Sequence, residues 1–153
     1  GNIKFVQDNY SFSKKSVLRG LHFQTPPFSE CKYIMCISGK VFDIVLDIRH
    51  KSPTFGKYLN FELSAEKSNG IIISEGLAHG FQTLTEDVQM LYLHSADYNP
   101  ASEDGINALD PALDIRWPLN DVSRSARDEK LSELAFHKGA DIVKAVGVKE
   151  HVL

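Results

Sequence analysis

Residues 32–48 read KYIMCISGKVFDIVLDI, two apolar runs on either side of Gly39. Both runs are rich in β-branched and other large apolar side chains, and their length is typical of β-strands. We therefore predict strands at Lys32–Ser38 and at residues 41–48. The intervening Ser38-Gly39-Lys40 predicts a tight hairpin turn, because glycine adopts the positive φ that such turns require.

The second run alternates only loosely. Alternation places Phe42, Ile44 and Leu46 on one face of the strand. The other face carries Val41, Asp43 and Val45, and so includes a carboxylate. Apolar strands with a polar residue on an otherwise apolar face are typical of a sandwich or barrel whose interior holds a ligand.

Similar runs recur outward from this stretch. Residues 57–63, 70–74 and 88–96 are predicted as strands, and residues 3–95 are almost all strand in character. After Trp117-Pro118 the composition changes, and residues 125–136 are predicted as a helix. The absence of a repeat or linker favours a single domain, residues 1–153.

Composition excludes several functional classes. The chain has 153 residues, 42% hydrophobic and 24% charged, with a formal net charge of −3 and no block of like charge. Nucleic-acid and anionic-membrane binding are therefore not expected. Cys31 and Cys36 form neither a CxxC pair nor a disulfide framework, and no apolar run has the length of a membrane span, so a cytoplasmic location is expected.

Six histidines make metal binding the first possibility to consider. A metal-holding β-barrel usually offers a His-x-His pair, but the strand that begins at Leu21 has Gln24 in place of the second histidine. The segment at residues 75–80 adds only His79. Two isolated imidazoles do not make a zinc or iron site, so no metal is predicted.

His22 is a better candidate for a general base, because a neutral imidazole accepts a proton near physiological pH. Tyr92 could supply an acid and Lys32 could stabilise an enolate oxygen. Asp43 needs a partner if its face is buried. From spacing alone, a structural histidine and a core tyrosine remain alternatives.

The sequence also resembles the dTDP-4-dehydrorhamnose 3,5-epimerase family. The resemblance depends on collinear motifs between about residues 5 and 128. They are FVQDN at 5–9, VLRGLHFQ at 17–24, GKVFD at 39–43, DIR at 47–49, SPTFG at 52–56, ELSAE at 62–66, EGLAHGF at 75–81, DPAL at 110–113 and WP at 117–118.

The resemblance implies an all-β, cupin-type jelly roll (double-stranded β-helix) with a short C-terminal helix, working as a homodimer without metal or cofactor. It also implies an isomerase of rhamnose biosynthesis. The implied substrate, dTDP-4-dehydro-6-deoxy-D-glucose, is inverted at C3 and C5, because the C4 ketone acidifies both neighbouring C–H bonds.

The resemblance also implies roles for particular residues. His22 matches the base, Tyr92 the opposing proton donor, Lys32 the cation near the C4 oxygen, and Asp128, with Glu129 as an alternative, the carboxylate paired with the base. The residues implied to bind the nucleotide part of the substrate are Arg19 at the diphosphate, Gln7 and Asn9 at the nucleotide, and Tyr98 near the thymine or sugar. Those implied to lie at the sugar and the catalytic pair are His79 at the sugar, Glu103 in the loop after Tyr98, Arg127 near the pair of His22 and its carboxylate, and also Lys32 and Asp43.

The chain departs from the family pattern in lacking the residues that usually precede FVQDN, some of which cross to the dimer partner. Within the same chemistry, inversion of only one carbon or use of another nucleotide is an alternative. A non-catalytic sugar-nucleotide-binding cupin is a rival of a different class. A metal-dependent cupin oxygenase is disfavoured by Gln24.

Overall fold

The computed structural model describes residues 2–136 and 148–152, without side chains for 136 and 148–152. Within these residues the chain forms ten strands and a single four-residue α-helix. The elements are β1 Gln7–Ser13, β2 Leu18–Gln24, β3 Lys32–Ser38, β4 Lys40–Asp47, β5 Tyr58–Ser64, β6 Asn69–Ile73, β7 Leu77–Thr83, β8 Val88–His94, β9 Glu103–Gly105, α1 Ala126–Glu129 and β10 Val148–Val152.

The strands of this described part form two antiparallel sheets. The first has the order β1-β8-β3-β6-β10 and the second the order β5-β4-β7-β2-β9. Apart from the β4–β5 hairpin, consecutive strands belong to opposite sheets. This alternation produces a jelly roll, as the resemblance implied. The five strands predicted from apolar runs all lie within two residues of observed strands.

The predicted hairpin at Ser38-Gly39-Lys40 is wrong. β3 pairs with β6 and β8, whereas β4 pairs with β5 and β7, so the two strands belong to different sheets. Gly39 has φ +81° and lies against the Thr85 and Val88 side chains, where it turns the chain from one sheet to the other. A short glycine turn looks the same in sequence whether it closes a hairpin or crosses between sheets.

Two apolar clusters explain the loose alternation of β4, because both faces of its sheet are covered. Val41 and Val45 belong to the cluster between the two sheets, together with Ile34 and Phe81. On the other face, Ile44 and Leu46 pack against Leu18 and Leu21 of β2 and against residues 106–122 and Leu134. The segment from residue 106 to residue 134 therefore covers the outer face of the second sheet.

The helix predicted at residues 125–136 is mostly wrong. The chain has one helical turn at Ala126–Glu129, capped by the Ser125 hydroxyl, and a separate 3-10 turn at Leu134–Phe136. The apolar side chains of this segment pack against the sheet instead: Leu134 contacts the cluster on the outer face of the second sheet, which contains Ile44 and Leu46. No helix in residues 2–136 or 148–152 is long and apolar enough to cross a membrane.

Candidate active site

A cavity of about 350 Å3 opens between the two sheets. Most of the predicted site residues line it, although they come from strands and loops that are distant in sequence. These are Gln7, Asn9, Arg19, His22, Lys32, His79, Tyr92, Tyr98, Glu103 and Arg127. Asp43 and Asp128 do not line the cavity, and each lies behind one of its histidines.

A β-bulge in β2 brings Arg19 and His22 to the same face. Arg19 pairs with Phe81 of β7 and His22 pairs with His79, so three steps along β2 match two along β7. Without the extra residue, side chains three apart would point to opposite faces. At the bulge, a Cβ added to Gly20 would lie only 2.6 Å from the His79 carbonyl oxygen, so the two strands approach closely because glycine is there.

His22 is held by a buried carboxylate. Its Nε2 lies 2.6 Å from Oδ1 of Asp128, and Oδ2 accepts the Gly20 backbone N–H at 3.0 Å. Burial alone would raise the pKa of Asp128, but the hydrogen bonds from His22 and Gly20 hold it below its ordinary value. An ionised Asp128 orients the imidazole and stabilises its protonated form. The alternative partner, Glu129, is exposed.

Arg127 covers this pair from the solvent side. Its guanidinium makes two hydrogen bonds to Glu103, at 3.2 and 3.0 Å, and lies 3.2 Å from His22 Nε2. Glu103 lies in the predicted loop after Tyr98 but begins β9, which pairs with β2. The hydrogen bond to Glu103 raises the pKa of Tyr98, which stands half exposed at the rim.

Tyr92 and Lys32 form the opposite wall of the cavity, on β8 and β3 of the first sheet, whereas His22 lies on the second. Burial raises the pKa of Tyr92 well above its ordinary value, so the phenol keeps its proton at neutral pH. The Lys32 ammonium is largely buried and lies 3.6 Å from Glu30 Oε1. A proton acceptor and a proton donor therefore face one space from opposite sheets.

A second histidine–carboxylate pair forms the floor. His79 Nε2 lies 2.7 Å from Oδ2 of Asp43, which is fully buried between the sheets. The buried Asp43 thus has the partner that its face predicted, but the structure does not place it in contact with the cavity. Burial raises the pKa of Asp43, although His79 and then Lys32 favour its charged form.

Arg19, Gln7 and Asn9 border the mouth. Arg19 donates from Nε and Nη2 to the Ser13 hydroxyl, at 3.3 and 3.1 Å, which orients the guanidinium along β1. Gln7 and Asn9 are hydrogen-bonded to each other and to neighbouring groups. These residues supply a cation and polar amides for an anionic, hydrogen-bonding ligand.

Gln24, which stands in place of the second histidine of a His-x-His metal-binding pair, has a different role in this structure. Its amide nitrogen donates to the Phe28 and Asp97 carbonyls, and its oxygen accepts the Asn99 backbone N–H at 2.9 Å. Gln24 therefore ties together the loops beside the cavity. In residues 2–136, no three His, Cys, Asp or Glu side chains come together as a metal-binding group.

Glu30 and His94 also line the cavity and were missed from the sequence. His94 lies two residues after Tyr92, and Glu30 two before Lys32. The two-residue period of a strand puts such positions on one face, so the signal for His94 was present beside Tyr92.

Comparison with known proteins agrees with this arrangement. The family model described as dTDP-4-dehydrorhamnose 3,5-epimerase matches residues 1–135. The dTDP-4-dehydrorhamnose 3,5-epimerase of Salmonella typhimurium is 47% identical over 127 residues, which cover 82% of this chain and 69% of the relative. The dTDP-4-dehydrorhamnose 3-epimerase of Streptomyces niveus is 37% identical over 141 residues, covering 92% of this chain and 68% of that protein.

A solved structure is also similar. The dTDP-6-deoxy-D-glucose-3,5-epimerase of Legionella pneumophila, in complex with dTDP-4-keto-L-rhamnose, superposes with a TM-score of 0.84 at 42% sequence identity. The match covers 87% of this chain and 71% of that one.

Proposed function

The chain belongs to the dTDP-4-dehydrorhamnose 3,5-epimerase family, and we propose that it inverts C3 and C5 of dTDP-4-dehydro-6-deoxy-D-glucose to give dTDP-4-dehydro-L-rhamnose. The observation that carries this proposal is the opposition of His22, backed by Asp128, to Tyr92 across one cavity. Inversion needs a proton acceptor on one face of a carbon and a donor on the other.

In the proposed reaction, His22 first removes the proton from C3 or C5. Its Nε2 is turned to Asp128, which leaves Nδ1 to accept the proton. The electron pair of the broken C–H bond moves to the C4 oxygen as an enolate, which the Lys32 ammonium stabilises. Tyr92 then gives its phenolic proton to the same carbon from the opposite face. Solvent exchange returns both side chains to their starting states, and the steps repeat at the other carbon.

The same proposal assigns the binding of the nucleotide to the mouth of the cavity. The Arg19 guanidinium suits the diphosphate oxygens, and the Gln7 and Asn9 amides suit the nucleotide. Tyr98 offers an aromatic face at the rim, where Arg127 and Glu103 close the space beside His22. His79 faces the sugar from the floor, with Asp43 holding its ring. The proposed reaction needs no cofactor, because protons alone are transferred.

Incubation with the 4-keto sugar nucleotide in deuterated water tests the proposal. We expect deuterium at both C3 and C5 and an inverted product, detected by NMR. Deuterium at neither carbon would contradict an enzymatic function and favour the sugar-nucleotide-binding cupin.

The variant His22→Gln refines this experiment. A glutamine can still donate a hydrogen bond to Asp128 but cannot act as a base near neutral pH. We expect exchange to fall by at least about 100-fold, the lower range for general-base catalysis, with little change in melting temperature. His50→Gln, at an exposed position in the loop after β4, is the matched control. An unfolded His22→Gln protein would instead support the structural alternative for this histidine.

A single inversion is the second candidate, because the similar Streptomyces niveus protein is named a 3-epimerase. In deuterated water this activity would place deuterium at one carbon only. The catalytic side chains are compatible with both outcomes, so the labelling pattern decides between them.

We further propose a homodimer and a cytoplasmic location. The outer face of the first sheet presents a row of apolar side chains, Tyr10, Leu91 and Met35, from three adjacent strands, and Phe12 beside it is 55% exposed. An apolar sheet face of this kind suits contact with a second copy. Cys31 and Cys36 are free thiols, as in a reducing compartment.

A further inference from the structure

A chain of hydrogen bonds along the cavity mouth has only one possible direction. It begins at the backbone N–H of Tyr98, which can only donate and lies 2.8 Å from Oε1 of Gln7. The Gln7 amide nitrogen is thereby turned toward Asn9 and donates to its Oδ1 at 3.3 Å. Each amide has one donating and one accepting end, so the first contact determines the second.

The direction continues through His94. Nδ2 of Asn9 lies 3.2 Å from His94 Nε2, and because an amide nitrogen only donates, Nε2 must accept. The proton of a neutral imidazole then belongs on Nδ1, which lies 3.0 Å from Oε2 of Glu30. We call the series Tyr98, Gln7, Asn9, His94 and Glu30 the amide relay. The geometry of the relay requires the neutral Nδ1–H form of His94.

Charged and titratable groups surround His94. Glu30, in the segment before β3, shares its second oxygen with the Lys32 ammonium on β3 at 3.6 Å. On β8 itself, the His94 ring stacks on the Tyr92 ring, with the ring centroids 6.2 Å apart and the ring planes at 18°. From β1, Gln7 lies opposite His94 in the strand register and the Asn9 amide contacts the ring, while the His94 side chain is 12% exposed. His94 therefore joins the predicted nucleotide-binding amides to the Glu30–Lys32 pair.

We propose that His94 is a positioning residue that orients the Gln7 and Asn9 amides for nucleotide binding through the polarity of the amide relay. This inference rests on the proposed function for its ligand. Protonation of His94 places an N–H opposite the N–H of Asn9. Asn9 must then turn over, Gln7 follows, and Tyr98 at the rim loses its acceptor. The binding arrangement is accordingly coupled to a neutral His94.

Substitutions at residue 94 separate polarity from charge. In His94→Gln, the amide oxygen can accept from Asn9 and its nitrogen can donate to Glu30, so polarity is kept without a titratable group. In His94→Lys, the side chain can still donate to Glu30 and adds a positive charge, but the ammonium only donates and therefore opposes the N–H of Asn9. His50→Gln is the matched control.

Direct detection of the His94 tautomer tests the amide relay independently of any measurement of enzymatic activity. In long-range 15N–1H NMR spectra at neutral pH, we expect the ring signals lost in His94→Gln to be those of an Nδ1–H imidazole. An Nε2–H or a fully protonated ring at neutral pH would overturn the inference.

Titration calorimetry with dTDP tests its consequence. We expect His94→Gln to bind within about twofold of the wild type and His94→Lys about three- to tenfold more weakly, the effect of roughly one hydrogen bond. When the pH is lowered until the same NMR spectra show a protonated His94 ring, wild-type affinity should fall relative to that of His94→Gln. A relative gain at acidic pH would mean that the charged ring attracts the diphosphate, and would overturn the inference.

The proposed function can fail separately. If dTDP binding follows this pattern but no deuterium enters the sugar, the positioning role stands and the epimerase proposal fails. If deuterium enters but the residue 94 variants bind alike, only the positioning role fails. No binding of dTDP to the wild type would contradict both.

Discussion

At the residue scale, the catalytic proposal depends on the hydrogen bond between the Asp128 carboxylate and His22. The carboxylate is buried and contacts both the imidazole and the Gly20 backbone N–H. In Asp128→Asn the side chain keeps its shape but loses the charge that stabilises a protonated His22. We expect the rate of inversion, measured by NMR, to fall about 100- to 10,000-fold, the range for general acid–base groups.

Glu129 offers the matched control for this prediction. It is adjacent in sequence but exposed, so Glu129→Gln should retain the wild-type rate. A loss of activity in Glu129→Gln with activity retained in Asp128→Asn would reverse the assignment of the carboxylate.

At the element scale, the site depends on the contact between β2 and β7. Gly20 has φ +106°, and an added Cβ would lie 2.6 Å from His79 O and 2.8 Å from Gly80 Cα. Both neighbours are backbone atoms and cannot move aside. Overpacking alone costs about 1–3 kcal/mol and a left-handed backbone adds about 1–2 kcal/mol. We therefore expect Gly20→Ala to lower the free energy of unfolding, measured with urea, by about 2–5 kcal/mol.

Gly56 separates the two contributions. It also has positive φ, +77°, but its nearest neighbour to an added Cβ is a Leu134 methyl at 3.5 Å. Gly56→Ala should therefore lose only the backbone contribution, about 1–2 kcal/mol. Equal losses in the two variants would show that the close contact of β2 with β7 is not what requires glycine at residue 20.

A second element, the loop from β4 to β5, is organised by Asp47. Its carboxylate accepts hydrogen bonds from Arg49, from Ser52 and from Thr54. Burial acts to raise the pKa of Asp47, but these bonds hold it far below its ordinary value. A lowered folded-state pKa stabilises the fold above the unfolded pKa of about 3.9, and this stability is lost as the pH falls through the folded value.

Asp47→Asn should therefore be less stable than the wild type by about 1–3 kcal/mol at pH 7, the range for hydrogen bonds to charged groups. The difference should shrink steadily below about pH 4. Urea unfolding between pH 3 and pH 7 measures it, with the exposed Asp121→Asn as control. A difference that stays constant with pH would contradict the ionised hydrogen-bonded state.

At the scale of the whole molecule, the proposed dimer makes a prediction about the outer face of the first sheet. Tyr10 and Phe12 are 57% and 55% exposed there. Replacing both with lysine places two desolvated charges in the proposed contact, so sedimentation should show a monomer where the wild type is a dimer. Leu59→Lys, at an equally exposed position on β5, should remain dimeric. A monomeric wild type would contradict the proposal.

The local sequence was sufficient for five of the ten described strands and for much of the candidate site. Apolar runs predicted β3 completely and four more strands to within two residues, because a strand between packed layers needs little beyond apolar and β-branched side chains. The partner required by Asp43 followed from placing a carboxylate on a buried face. The motifs around His22 and His79 were sufficient to indicate the family.

Tertiary structure decided the rest, because it depends on which elements meet. Gly39 is equally suited to a hairpin and to a crossing between sheets, and only the pairing of β3 with β8 and of β4 with β7 distinguishes them. Likewise, apolar residues after residue 125 pack on a sheet without a long helix. The sequence by itself determined the strands with strong apolar runs, the family and the candidate chemical groups. Only the fold brought Asp128 to His22, and Glu30 to His94, because hydrogen bonds between residues 64 or 106 positions apart depend on the packing of whole sheets.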